Sequence, residues 1–224
     1  MLSIEILKQN DVGATLSQEC LEQVMPILDQ NAFRKEVSAG ETIHNVGDTI
    51  HYITILEEGS ASSYCYTKKG EQILFFLFRQ NESIGMLSIA GQSTYRADMV
   101  ADKPGKVIYI PRENYLKAMQ KSPEFLRAVL AYICAKADEQ LDISILARFK
   151  YANDRICYYL YQQCMRTGDM QVPIQQSIEN MANYLGLSRS VLSKGLHALE
   201  KAGVVKLETG KVIVLDLEKL KDSI

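Results

Sequence analysis

The 224-residue sequence nowhere holds the ~18 consecutive apolar residues that span a bilayer, and its first residues, MLSIEILKQNDVG, form no apolar run of signal-peptide length. Neither a membrane-spanning nor a secreted chain fits, and the protein is expected in the cytoplasm with no membrane partner. Cysteine is scarce and scattered. Cys20, Cys65, Cys134, Cys157 and Cys164 include no C-x-x-C pair and no Cys/His cluster at metal-ligand spacing, so they read as reduced thiols packed as small hydrophobes. His44, His51 and His197 stand alone, with no His-x-His pair. A cupin-type metal enzyme needs several histidines converging on one ion, so no enzyme, metal or other cofactor is expected, and haem has no support. Low-complexity linkers are missing, as are repeats of ~20–50 residues. A formal net charge of −2 excludes a protein that coats nucleic acid indiscriminately, yet leaves room for a local basic face.

What is present is a globular mixture, 47% hydrophobic and 23% charged, long enough for one large domain or two ordinary ones. From Phe33 to Pro111 short β-type runs, HYITIL, ASSYCYT, QILFFLF and KVIYI, alternate with glycines. Many short strands with turn residues between them indicate an all-β barrel or sandwich. The pattern then turns helical. Ser122-Pro123-Glu124 has the order of a helix start, and good helix formers follow to about Arg148. Such a helix spans roughly 40 Å. Along it Leu126, Leu130, Ile133, Ala137, Leu141 and Ile145 recur at spacings of three and four, an apolar stripe that either packs inside its own chain or pairs with a second copy. The length favours both, one end on the β-domain and the rest on a second copy, so a homodimer is the expectation over a helix packed only within its own chain. A further helix, YANDRICYYLYQQCMRTGD, restarts near Tyr151 and ends at Gly168.

The last 70 or so residues carry the most specific pattern. Ser177 caps a helix whose Ile178, Met181, Ala182 and Leu185 share one face. Gly186 gives the backbone freedom for a tight turn, and Ser188 caps a second helix that buries Leu192, Leu196 and Leu199. Arg189, Ser190, Ser193, Lys194 and His197 are left outward. Two short helices crossing at Ala182 form a helix-turn-helix, and GVVKLETGKVIVLDL reads as two strands joined around Thr209-Gly210, a wing carrying Lys211. A helix of this width fits the DNA major groove, where arginine presents paired donors to guanine, while serines and cap amides suit phosphates.

The chain resembles the Crp/Fnr (cyclic-AMP receptor protein and fumarate-nitrate reduction regulator) family of bacterial transcription regulators over roughly residues 30 to 222. The likeness rests on AGETIHNVGDTIHYITILEEGSA, KKGEQILFFLF and NMANYLGLSRSVLSKGLHALEKAGVV. It implies an α+β chain with an N-terminal cyclic-nucleotide-binding-like β-roll (jelly roll) over 1–120, a dimerisation helix over 121–150, and a C-terminal winged helix-turn-helix over 151–224. It also implies a homodimer on a palindromic promoter. Arg189 matches the family's groove-reading arginine and Ser188 the serine at the start of the recognition helix. Ser190 stands where glutamate is frequent, and Lys194 where arginine is. Serine cannot accept from cytosine as an anion and lysine lacks the planar fork, so the family's best-known half-site does not carry over.

The sensor departs further. Nucleotide-binding members carry Gly-Glu-Leu for the ribose and an Arg-Ser pair for the cyclic phosphate. Here the first reads Gly85-Met86-Leu87, and Tyr95 and Arg96 fall near the second. Methionine cannot replace a carboxylate toward a ribose hydroxyl, so cyclic AMP is not the expected effector. Gly85, Met86, Leu87, Tyr95 and Arg96 are the candidate effector residues, with Arg96 alternatively in solvent or paired with Asp98. A cluster-bearing oxygen sensor needs several cysteines near the N-terminus, where only Cys20 lies. The expected partners are double-stranded promoter DNA, a second copy of the chain, an unidentified small-molecule effector and RNA polymerase. The alternative is a DNA-binding regulator with a vestigial sensor, controlled by a protein partner or by thiol oxidation.

Overall fold

In the computed structural model, which describes residues 2–70, 72–91, 94–174 and 177–224, the alternation of short apolar runs with glycine turns becomes two four-stranded antiparallel sheets. One runs in the order β1 (Phe33–Val37), β8 (Gly105–Pro111), β3 (Tyr52–Glu58), β6 (Ser83–Ile84). The other runs β2 (Thr42–His44), β7 (Asp98–Ala101), β4 (Ala61–Tyr66), β5 (Gln72–Phe78). The four quoted β-type runs all fall on strands, β3, β4, β5 and β8. β3 is buried without a break from Ile53 to Leu56, as a strand covered on both faces must be. Ile53 and Ile55 join a core formed with helices, while Leu56 joins a second core with Val37, Ile43, Ala61, Met99 and Val107.

Three helices outside the β-type runs help supply that core. Ahead of β1 stand α1 (Ile4–Gln9) and α2 (Gln18–Leu28), and α3 (Arg112–Lys121) follows β8. Ser3 and Ser17 cap the first two, accepting from the amides of Ile6 and Cys20. Leu7, Leu21, Val24 and Leu28 are fully buried with Ile108, Ile110 and Tyr115. Each such buried large aliphatic side chain contributes about 1.5–3 kcal/mol, so the helical layer is part of what holds the roll together.

α4 (Pro123–Leu146) starts as expected, with the Ser122 hydroxyl accepting the Phe125 amide at 3.3 Å. Its 24 residues extend about 36 Å. The chain divides inside this helix into two units, Met1–Lys136 and Ala137–Ile224. Phe125 and Val129 are buried in the first unit's core, and Leu146 in the second's. The stripe read from the sequence lies on other faces. Leu130, Ala137, Leu141 and Ile145 are exposed, Leu126 is half-buried, and Ile133 leans on the first core. Spacings of three and four occur on two sides of this helix, and the pattern by itself does not say which side packs at home.

The second unit contains α5 (Ala152–Thr167), β9 (Gln171–Pro173), α6 (Ile178–Tyr184), α7 (Arg189–Lys201), β10 (Val205–Glu208), β11 (Lys211–Val214) and α8 (Leu217–Asp222). Its antiparallel sheet has the order β10-β11-β9, so the expected two-stranded wing gains a third strand. Ile156, Leu160, Ala182, Leu192, Leu196, Val212 and Leu220 form one core.

Candidate nucleic-acid interface and effector cavity

The second unit presents a helix end shaped by its caps. Ser177 accepts the Asn180 amide at 3.2 Å and opens α6, and Ser188 accepts the Val191 amide at 3.3 Å and opens α7. Between them Gly186 adopts a φ of 62°, the left-handed region that glycine enters at little cost. Arg155, on α5, fixes this turn from behind. Its Nη1 donates to the carbonyls of Leu185 at 3.3 Å and Gly186 at 3.2 Å, while Nε and Nη2 hold the carbonyl of Phe149. Nothing in the sequence pattern singled Arg155 out, because its role exists only once α5 and the turn are brought together.

α7 buries Leu192, Leu196 and Leu199, which turns Arg189, Ser190, Lys194 and His197 to solvent and leaves Ser193 half-buried. All five sequence-predicted outward residues thus share one helix, with Arg189 and Ser190 in its first turn. The Ser188 and Ser190 hydroxyls are 3.1 Å apart. Val191, 40% exposed beside them, adds an apolar side chain to the same helix end, one that the sequence pattern does not single out. On the wing, Lys211 donates to Gln171 at 2.8 Å and lies 3.5 Å from Glu208, which also holds Lys206 at 2.8 Å. The wing's lysines are therefore partly neutralised by one carboxylate.

The first unit contains a cavity of about 130 Å³. Gly85, Met86, Leu87, Tyr95 and Arg96, predicted from two separate stretches of sequence, all line it, together with Ile50, Phe78, Ile84, Met99 and, from α4, Tyr132 and Lys136. Gly85, at a φ of 93°, begins the one-turn helix that swings Met86 inward and leaves Leu87 half in solvent. Tyr95 is buried and stacks on His44 with ring centres 4.2 Å apart. Its hydroxyl donates to the Tyr52 carbonyl at 3.2 Å and lies 3.2 Å from His44 Nε2, which in turn is 2.8 Å from the Thr54 hydroxyl. Burial drives the Tyr95 phenol upward and the His44 imidazole down to about 4, so the pair is neutral at pH 7. Arg96 is exposed. It does not take Asp98, whose carboxylate instead accepts the Val46 amide at 2.7 Å. Gln92 and Ser93, in the stretch between the two predicted groups, lie outside the described residues.

Among the cysteines, Cys20, Cys157 and Cys164 are buried and Cys134 is exposed on α4; all are free thiols. Burial pushes the Cys157 thiol up to about 11, which leaves it unreactive. Among the described residues no group of three His, Cys, Asp or Glu side chains could hold a metal ion, and no helix is long and apolar enough to cross a membrane.

Two family models match this architecture in order. The cyclic nucleotide-binding domain covers residues 34–122, and the Crp-like helix-turn-helix domain covers residues 154–223. The chain belongs to the Crp/Fnr family of transcription regulators. It is 28% identical over 192 residues to the cyclic AMP receptor protein of Thermus thermophilus, covering 84% of this chain and 87% of that one. It is 21% identical over 215 residues to the fumarate and nitrate reduction regulatory protein of Escherichia coli, covering 94% and 84%. Among solved structures, a CooA mutant from Carboxydothermus hydrogenoformans superposes with a TM-score of 0.66 at 18% identity, covering 86% of this chain and 88% of that one. FixK2 from Bradyrhizobium japonicum gives 0.60 at 17%, covering 85% and 96%. The Crp/Fnr assignment makes this chain a DNA-binding regulator with a cyclic-nucleotide-binding-type sensor domain, in a family of regulators and not of enzymes.

Proposed function

We propose that the chain acts as a homodimer that reads a palindromic promoter through α7, and that a small effector in the first unit's cavity controls this binding. The observation that carries the reading is the capped N-terminus of α7. Ser188 fixes where the helix starts, the buried leucines fix its rotation, and Arg189, Ser190 and Lys194 are what remain to face a groove. Arg189 is the base-reading residue, bidentate to a guanine. Ser177, Ser188, Ser193, His197 and Lys211 serve as backbone contacts or flank them. The exposed stripe of Leu130, Ala137, Leu141 and Ile145 supports pairing of two copies along α4, with Leu126 and Ile133 at its edge.

The effector acts by binding two dispositions of the DNA-reading helices with different affinity, and RNA polymerase is the partner through which promoter occupancy takes effect. Met86 at the ribose-facing position argues against cyclic AMP. A vestigial sensor answering to a protein partner or to thiol oxidation is the weaker reading, since the five predicted effector residues line one formed cavity. Selection from a random duplex pool tests the function. It is expected to enrich a two-fold palindrome whose half-sites lie about one helical turn apart. An unenriched pool, or one site without a repeat, would contradict it.

A further inference from the structure

Tyr95, Ser83, Tyr132 and Lys136 on the cavity wall are already engaged, while Ser63, Ser88, Thr94 and Arg96 line it with no side-chain hydrogen bond among the described residues. The Tyr95 hydroxyl is used by Tyr52 and His44. Ser83 donates its hydroxyl to Asp11 at 2.8 Å, and its carbonyl accepts the Tyr132 hydroxyl at 3.2 Å. Lys136 sits over the Tyr132 ring at 5.9 Å and in the field of the Asp11 and Glu82 carboxylates. A nucleotide would bring ribose hydroxyls, base nitrogens and a phosphate, each needing a new partner on burial or losing its solvation uncompensated. The larger part of what faces the space is apolar, with Ile50, Phe78, Ile84, Met86 and Met99 around it.

Among the described residues Arg96 is the one charged group of this wall without a partner. It is exposed where the lining meets solvent, and among the described residues no hydrogen bond or ion pair holds its guanidinium. The next residue, Ala97, is buried and offers no hydroxyl to a phosphate, while Thr94 adds one donor near the same edge.

From these observations we infer that the ligand of this cavity is an amphipathic organic monoanion whose apolar body fills the space and whose carboxylate pairs with Arg96. The inference rests on the reading of the cavity as the effector site and names its ligand class. Guanidinium and carboxylate match as a planar two-bond pair, and a single charge at the rim stays partly hydrated. A volume of about 130 Å³ is near that of cavities that accept a benzene ring (about 150 Å³), so the body is a small ring or a short chain.

The test uses the full-length chain, with octanoate, octanamide and cyclic AMP as probes, read by calorimetric titration and thermal shift. Octanoate is expected to bind saturably and octanamide about tenfold more weakly, the difference expected of one charge-assisted pair. Arg96→Gln brings octanoate down to the amide's affinity, whereas Arg96→Lys keeps most of the preference for the acid. Arg96 is exposed, so both variants fold. A hexanoate-to-decanoate series passes through a maximum, because the cavity is finite. Octanamide equal to octanoate in the wild type, cyclic AMP tighter than every acid, or no saturable binding by any acid overturns the inference.

Operator binding followed alongside separates this from the wider reading. Acid that binds through Arg96 without moving operator affinity upholds the ligand class and removes the cavity's control of DNA. Acids that fail beside a protein still selecting its operator remove the ligand class alone.

Discussion

Arg155 donates one guanidinium nitrogen to the carbonyl of Gly186 at 3.2 Å, and a Cβ added at Gly186 would stand 3.1 Å from that same nitrogen. The turn between α6 and α7 is thus held from one side by a cation and kept open to it by the absence of a side chain. Arg155→Ala should lower the stability of the second unit by about 1–3 kcal/mol, the range for carbonyls stripped of a charged donor. It should also weaken operator binding, because α7 loses its fixed angle. Lysine, with a single ammonium, should rescue only part. Denaturant unfolding and operator titration of the alanine and lysine variants check this, and an unchanged midpoint for Arg155→Ala would refute it.

Assembly should depend on the exposed side of α4. Leu141 is 60% and Leu130 49% exposed, far more than such residues need to be on a helix that packs only within its own chain. Leu130→Glu or Leu141→Glu is expected to yield monomers and to cost about a hundredfold or more in operator affinity, as two linked half-sites become one. Cys134 lies on the same exposed side, so mild oxidation should join two chains through it, and Cys134→Ser should abolish the product. Sedimentation of the wild type as a monomer at micromolar concentration would refute the arrangement.

Stability should fall in mild acid because of His44. Burial depresses its imidazole to about 4 from 6.5, outweighing the opposing pull of Asp48. As pH drops, the unfolded chain takes up this proton first. The favourable term is fully present above pH 6.5 and is lost between there and about 4. The loss is on the order of 3 kcal/mol across the window. Unfolding free energies measured from pH 7 to 4 should slope in the wild type and be flatter by that amount in His44→Gln. Parallel curves would refute the assignment.

Glu208 should act as a brake on non-specific DNA affinity. It neutralises Lys206 at 2.8 Å and Lys211 at 3.5 Å on the wing. Glu208→Gln is expected to tighten binding to all sequences alike and to steepen the log–log salt dependence by up to about two units, one for each freed lysine that reaches a phosphate. A gain confined to one operator variant would contradict this.

The parts legible in the sequence were those with a repeating local signal. Strands β3, β4, β5 and β8 announced themselves as short β-type runs between glycines, while the two-residue β6 and four-residue β7 did not; α6 and α7 did so through serine caps and apolar residues at helical spacing. The five cavity residues were legible through likeness to a family rather than through periodicity, since Gly85 and Arg96 meet only after the sheets close. Of the N-terminal helices, α1 has only six residues and too little length for a period, whereas α2 does carry one, with Ser17 as its cap and Leu21, Val24 and Leu28 buried at spacings of three and four, so its signal was available in the sequence. β9, three residues long, has no pattern of its own and exists because β11 offers an edge. On α4 the inward residues are Phe125 and Val129, which lie off the Leu126–Ile145 stripe, because apolar residues recur at spacings of three and four on two sides of the helix.

Titrating wild type, Arg189→Ala and Lys211→Ala on a selected operator and its single-base variants at two salt concentrations decides whether Arg189 reads a base while Lys211 only touches phosphate. Arg189→Ala should cost roughly 1–3 kcal/mol per half-site and erase preference at one base pair in each. Lys211→Ala should weaken all variants equally and lower the salt slope by about one unit per lost contact. If Arg189→Ala instead shifts every variant by the same factor, the arginine contacts backbone and α7 does not read DNA in the way described.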